Sequence, residues 1–248
     1  MNRDKIYFVS DAHLGSKFHA DSRESERKLC RWLDLVKADA KTVYLLGDMF
    51  DYWFEYRHVV PRGFTRFLGK LSELSDAGVE VNFFTGNHDI WVSDYLQAEC
   101  GVRVFRQPLV KDFNGKKFFL AHGDGLGDKS LSFRFLRSIF HNRFLQKAFA
   151  GIHPRWTIPL AHTWSNHSRL NGGVADYLGE DQEHLLLFAK KQLEVAPNIN
   201  YFIFGHRHIM LDLPVAAQSR VIILGDWIRY FSYAVFDGAD VKPLQFEE

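Results

Sequence analysis

Three short apolar runs, Ile6 to Ser10, Val43 to Leu46 and Val81 to Thr85, each stop at a polar cluster: Asp11, Gly47-Asp48 and Gly86-Asn87. A β-rich run that is apolar at consecutive positions and too short for a helix reads as a strand buried on both faces. Between the first two runs, Leu29, Trp32, Leu33 and Val36 share one helical face; between the second and third, Phe64, Phe67, Leu68 and Leu71 share another. Strand, helix, strand, helix, strand demands right-handed crossovers and a parallel sheet, which excludes all-helical and simple hairpin folds.

After Pro108, strands follow one another without helices. Leu109 to Phe113 and Lys116 to Ala121 flank Asn114-Gly115, the pair that supplies the positive φ angles of a type I′ hairpin. Tyr201 to Phe204, Val221 to Leu224 and Tyr230 to Phe236 add strands, Asp237-Gly238 offers another hairpin turn, and Gln182 to Val195 is a helix feeding the Tyr201 strand. The expected fold class is α/β with a mixed sheet core. With 248 residues, 46% of them hydrophobic, one domain over residues 1–248 is expected rather than two halves. Residues 123–179 interrupt the scheme: Phe133, Leu136, Phe140 and Phe144 stand at helical spacing, and then Pro154, Pro159 and Gly172-Gly173 break it, as in an inserted helical cap. Cys30 and Cys100 form no CxxC pair, so neither a disulfide framework nor a thiolate metal site is expected. The start lacks a signal-peptide pattern, and no run approaches the roughly 20 apolar residues that span a bilayer, so a soluble, at most peripheral, protein is expected.

Five expected strand ends carry the same kinds of side chain: Asp11-Ala12-His13, Gly47-Asp48-Met49-Phe50-Asp51, Gly86-Asn87-His88-Asp89, His122-Gly123-Asp124 and Gly205-His206-Arg207-His208. In a wound sheet the carboxyl ends of the strands face one crevice, so these segments should converge there. Imidazole, carboxylate and carboxamide without thiolate suit Mn²⁺, Fe or Zn²⁺. Asp11-Ala12-His13 alone reads as a hydrogen-bonded loop, whereas Gly86-Asn87-His88-Asp89 and Gly205-His206-Arg207-His208 are more specific, since strand packing calls for no adjacent imidazoles and carboxylates. The series in this order, each after a strand, reads as a metal centre.

In this motif series the chain resembles the calcineurin-like metallophosphoesterase superfamily over nearly its whole length. The resemblance implies a four-layer α/β/β/α sandwich with two divalent ions. On that template Asp11, His13, Asp48 and His208 would hold one ion and Asp48, Asn87, His122 and His206 the other, with Asp48 bridging. His88 would be the catalytic histidine and Asp89 its orienting partner. Such a centre would clamp a phosphoryl group and make bound water a usable nucleophile near neutral pH. His88, if protonated, would stabilise the developing charge or protonate the leaving oxygen.

The net charge of +1 is a cancellation. From Lys129 through Ala175 there are seven Lys and Arg and no Asp or Glu, leaving 24 basic against 30 acidic residues elsewhere. The interleaved Phe, Leu and Arg of this segment are compatible with an anionic membrane surface, an acyl-chain groove, nucleic-acid contact, or a packed helix with a solvated basic face. A second resemblance bears on the choice. The His122 to Asp128 motif, the Phe/Arg cap, Trp164 to Arg169 and Leu224-Gly225-Asp226-Trp227 together look like the UDP-2,3-diacylglucosamine pyrophosphatases of lipid A synthesis. That likeness implies cleavage of the substrate pyrophosphate to UMP and 2,3-diacylglucosamine 1-phosphate, with Mn²⁺ and peripheral contact with the cytoplasmic face of the inner membrane. No nucleic-acid partner is then expected. Asn87, His88, Asp128, Ser165, Asn166, Ser168, Arg169 and His206 are its candidate substrate contacts, and several of them read equally well as helix caps or surface residues. The best-known branch of that group carries Arg where this chain has His88. The alternatives are a related phosphoesterase acting on another nucleotide or diester, or a non-catalytic scaffold.

Overall fold

A computed structural model describes residues 3–127, 131–161, 163 and 176–247. The strands form two sheets. The first runs β11(Val241–Gln245), β10(Ser232–Phe236), β1(Lys5–Val9), β2(Ala40–Leu45), β3(Glu80–Phe84), β4(Arg103–Phe105), and the second runs β5(Leu109–Phe113), β6(Lys116–Ala121), β7(Tyr201–Phe204), β9(Ser219–Leu224), β8(Met210–Ala216). β1 to β4 are parallel, as are β6, β7 and β9; β10, β11, β5 and β8 add antiparallel pairings. The mixed core is therefore two mixed sheets, the sandwich that the family resemblance implies.

Alternate residues along each central strand serve different layers. Tyr7 and Val9 join Val43, Leu45, Val81 and Phe83 against helices α1(Ser22–Val36), α2(Thr65–Asp76) and α3(Tyr95–Cys100). Ile6, Phe8, Tyr44 and Leu46 point the other way and meet Phe118, Leu120, Ile203 and Ile222 between the sheets. Phe119, Phe202, Phe204 and Ile223 leave the second sheet on its far side and pack on Leu185, Leu186 and Ala189 of a helix over His184–Val195. Burial on both faces is why these strands read as unbroken apolar runs. Full burial of each such side chain contributes on the order of 1.5–3 kcal/mol.

Of the four residues expected to share a helical face, Phe67, Leu68 and Leu71 lie within α2 and Phe64 stands at its N-cap. Phe64 itself is left-handed, with φ 58° and no side-chain cap. Glu26 of α1, buried, accepts instead from the Arg66 and Phe67 N–H groups at 3.0 and 3.1 Å, so one helix caps the next. The Asn114-Gly115 turn has φ of 53° and 77°, as a type I′ hairpin requires. In the inserted segment, α4(Leu131–His141) and α5(Arg143–Ala150) are separate, because Asn142 caps α5 by accepting from the Phe144 and Leu145 N–H groups. α6 follows over residues 154–161, which makes His184–Val195 helix α7. These cap helices dock on the loops after β2 and β3. Phe149 lies 5.0 Å from both Phe54 and Trp91, Trp91 Nε1 donates to the Phe140 carbonyl at 2.9 Å, and Tyr56 bonds Thr157.

Candidate metal centre

Because β1, β2 and β3 are parallel, and β6 and β7 are parallel, their five following segments leave from two facing sheet edges. Backbone bonds then stitch these segments together. Asp11 N–H donates to the Gly47 carbonyl at 3.0 Å, His13 N–H to Asp48 at 2.9 Å, and Gly205 N–H to His122 at 2.9 Å. Asp11, His13, Asp48, His206 and His208 all have φ between 42° and 68°, a conformation that costs about 1–3 kcal/mol per non-glycine residue and clusters at functional sites. Close approach also requires glycine. A Cβ on Gly86 would lie 2.2 Å from Asp48 Oδ1, and one on Gly205 2.5 Å from Asp11 Oδ2.

Three groups of side chains converge among the described residues, Asp11 with His13 and His208, Asp48 with His122 and His206, and His13 with Asp51 and His88; in each, the donor atoms lie within 4.8 Å of one another. Their hydrogen bonds show which atoms face inward. His122 Nδ1 lies 2.8 Å from the Leu46 carbonyl, which can only accept, so Nδ1 carries the proton. The Nε2 lone pair then meets Asp48 Oδ2 at 3.3 Å and Asn87 Oδ1 at 3.3 Å, both acceptors. His208 behaves likewise, with Nδ1 3.2 Å from Asp226 Oδ2 and Nε2 3.3 Å from His13 Nε2. Asp11 Oδ1, buried and accepting no hydrogen bond, sits 3.6 Å from His13 Nε2 and 3.5 Å from His208 Nε2. Acceptors aimed at one another in a buried space require positive charge among them, and divalent cations fit this donor set. Where no cation is bound, a proton on Nε2 meets the same need. Burial works to raise the Asp48 carboxyl and to lower His122, and their mutual attraction overrides both, holding Asp48 well below and His122 well above their usual ranges.

His88 N–H donates to Asp48 Oδ1 at 2.8 Å, and its Nδ1 lies 3.0 Å from the Asp51 carbonyl; its ring stands edge-on to His13 at 4.8 Å. Asp89, expected to orient His88, is placed differently. Its oxygens accept from the N–H groups of Gly86 at 2.7 Å, Met49 at 2.8 Å and Phe50 at 3.4 Å. It joins the loop after β2 to the loop after β3, which carries His88. Burial, with repulsion from Asp48, pushes the Asp89 carboxyl up to about 7.

Two carboxylates missing from the sequence-based set belong here. Asp51 Oδ1 lies 3.8 Å from His13 Nδ1 and 3.9 Å from His88 Nδ1, and Asp226 holds His208. Asp51 stood in the second motif and Asp226 beside Trp227, but nothing in local spacing shows that either faces an imidazole. Among the remaining expectations, Asp128, Ser165, Asn166, Ser168 and Arg169 lie outside the described residues.

The family model for calcineurin-like phosphoesterases matches residues 4–210. A UDP-2,3-diacylglucosamine hydrolase from Porphyromonas gingivalis is 48% identical over 99% of this chain and 99% of its own. One from Neisseria meningitidis serogroup C is 31% identical over 96% and 98%. Among solved structures, Yfce, a phosphoesterase from E. coli, superposes with a TM-score of 0.48 at 14% identity, covering 97% of this chain and 92% of that one. The matched span contains all five segments that build the centre, so the chain belongs to the calcineurin-like phosphoesterase family and is a metal-dependent hydrolase.

Proposed function

We propose that this chain hydrolyses the pyrophosphate of UDP-2,3-diacylglucosamine to UMP and 2,3-diacylglucosamine 1-phosphate. The observation that carries the substrate is the 48% identity, over essentially the whole of both chains, to a hydrolase of that name. The reaction class rests on the convergent acceptors. Asp11, His13, Asp48 and His208 would hold one divalent ion and Asp48, Asn87, His122 and His206 the other, and the nitrogen and oxygen donors suit Mn²⁺. When bound, the ions supply Lewis-acid charge for the phosphoryl oxygens and an acidified water.

The chain's own groups do the rest. His88, with Nδ1 committed to the Asp51 carbonyl, exchanges its proton at Nε2 and serves the leaving phosphate oxygen. Asp89 fixes the two loops that present Asp48 and His88. Residues 123–179 act as a cap over the single domain. On it Phe135, Phe144, Trp156 and Leu160 are exposed beside Arg143, Lys147 and Arg155, a surface suited to acyl chains and to the anionic cytoplasmic face of the inner membrane. No helix among the described residues is long and apolar enough to cross a membrane.

Incubation of the metal-loaded protein with UDP-2,3-diacylglucosamine, followed by mass spectrometry, should show UMP and the lipid 1-phosphate. Absence of UMP alongside brisk cleavage of a simple phosphodiester would reject the substrate and leave a phosphoesterase of another specificity.

A further inference from the structure

Arg207 stands between His206 and His208 in the last of the five segments, and its side chain is turned to Glu183. Nε and Nη2 donate to the two oxygens of that carboxylate at 2.9 and 3.1 Å, and Nη2 donates also to the Asp176 carbonyl at 3.2 Å. The Glu183 side chain is 0% exposed and that of Arg207 18%. A two-pronged guanidinium–carboxylate pair fixes orientation as well as distance. Shielded from water to this degree, it is strongly disturbed when either partner is lost.

Glu183 occupies the N-cap of α7, where Ser, Thr, Asp or Asn would supply the cap, and its side chain makes no cap bond. The helix start thus forgoes a cap while its carboxylate serves Arg207. The base is firm. Leu185 and Leu186 of α7 are buried among Phe202, Phe204 and Ile223 of the second sheet. The first turn of α7 also lies tight against the loop after β6, since a Cβ on Gly127 would lie 2.6 Å from the His184 carbonyl oxygen and one on Gly123 3.3 Å from Leu185 Cδ1. One end of α7 therefore meets the loop that carries His122 and, through Arg207, the loop that carries His206 and His208. That second loop needs a hold. His206 and His208 have φ of 68° and 52°, left-handed backbone that local preference disfavours. The His206 N–H is held by Asp11 Oδ2 at 2.9 Å, and the fork grips the residue between the two imidazoles.

We infer that Glu183 and Arg207 are positioning residues of the metal centre. Their buried fork keeps the loop after β7 in the conformation that turns both imidazoles inward, and Glu183 offsets the positive charge that Arg207 brings close to the ions. This inference rests on His206 and His208 as metal ligands.

Mn²⁺ is titrated calorimetrically into the metal-free wild type, Glu183→Gln, Arg207→Lys and the double variant, with His208→Ala and Asp212→Asn as references. Asp212 of β8 accepts a similar fork from Arg220 of β9 at 3.0 and 2.9 Å. That pair lies away from the centre, because Arg220 is in register with Tyr201 at the start of β7. The expected result is Mn²⁺ binding weakened roughly 10–100-fold in Glu183→Gln. Arg207→Lys, which keeps the charge and loses the fork, should weaken binding at least about fivefold, and the double variant should be no worse than the worse single. Asp212→Asn should lower Tm and leave Mn²⁺ affinity alone. Hydrolysis of a simple phosphodiester by Glu183→Gln should fall at limiting Mn²⁺ and return toward wild type at saturation. Binding within about twofold of wild type in Glu183→Gln or in Arg207→Lys, additive losses in the double variant, or an equal loss in Asp212→Asn overturns the inference. Wild-type binding in His208→Ala would reject the ligand assignment itself, whereas weakened binding there with none in Glu183→Gln rejects the positioning pair alone.

Discussion

Asp226 shows how much of this centre depends on residues behind the ligands. Its Oδ1 accepts from the Ile228, Arg229 and Tyr230 N–H groups at 3.0, 2.7 and 3.3 Å while Oδ2 faces His208. Burial works to raise its carboxyl, and His208 with those N–H groups holds it below the usual range, so it stays an acceptor and keeps the proton on Nδ1. Asp226→Ala should lower activity roughly 10–100-fold at limiting metal and regain much of it as Mn²⁺ is raised, because partners behind metal ligands tune affinity by about that factor. An activity-against-metal titration checks this; a loss that excess metal does not relieve would count against the role. The two thiols carry a prediction of the opposite kind. Burial pushes Cys30 up to about 11 and raises Cys100 as well. The thiolate is the reactive form, so at pH 8 iodoacetamide should leave both unlabelled in the native protein and label both in urea, as mass spectrometry would count.

At the scale of elements, the strand ends do the positioning, and α4 and α5 dock on the loops that follow them. The loop after β3 works only with glycine at 86, since a methyl there would meet Asp48 Oδ1 at 2.2 Å and Asp48 N at 2.7 Å. Gly86→Ala should lower kcat on the order of a hundredfold, the loss expected when a reacting geometry shifts by about an ångström. Near-normal kcat would mean that the loop yields. Within the cap, Phe149 packs on Phe54 and Trp91, whereas Phe144 is 78% exposed. Phe149→Ser should therefore speed proteolysis of residues 131–161. Phe144→Ser should leave proteolysis unchanged and reduce cosedimentation with anionic phospholipid vesicles. The reverse pattern would assign the two rings the other way round.

For the whole molecule, the centre is also where two sheets are held edge to edge by groups of like polarity. Metal bound only by the folded state stabilises by RT ln(1 + [L]/Kd), about 2.7 kcal/mol at a hundredfold excess over Kd. For a chain of 248 residues that corresponds to roughly 5–10 °C in Tm. Chelation should abolish turnover and lower Tm by that order, and Mn²⁺ should restore both; an unchanged Tm in calorimetry would mean that the sandwich holds together without the ions. Charge is organised at this scale too, with a basic insertion on an acidic body whose sum is only +1.

Much was legible in the sequence because parallel strands buried on both faces write continuous apolar runs, and because five separate polar clusters each followed such a run. β1, β2, β3, the Asn114-Gly115 hairpin and the seven expected ligand residues follow from local pattern together with family likeness. β4 and β11 did not, being short or half-exposed edge strands, and neither did β8, an edge strand whose alternating Leu211, Leu213 and Val215 are interrupted by Pro214. The division into two sheets came from the family likeness and not from local pattern, since Phe8 and Val9 look alike in sequence although one meets the second sheet and the other the helices. The pairing of Asp51 with His13, the turning of Asp89 toward backbone rather than toward His88, and the fork between Arg207 and Glu183 join residues distant in sequence or depend on where a side chain turns. The sequence by itself determined which chemical groups end the strands. Only the tertiary structure decided which of them face one another, because that depends on the register of two sheets and not on any local preference.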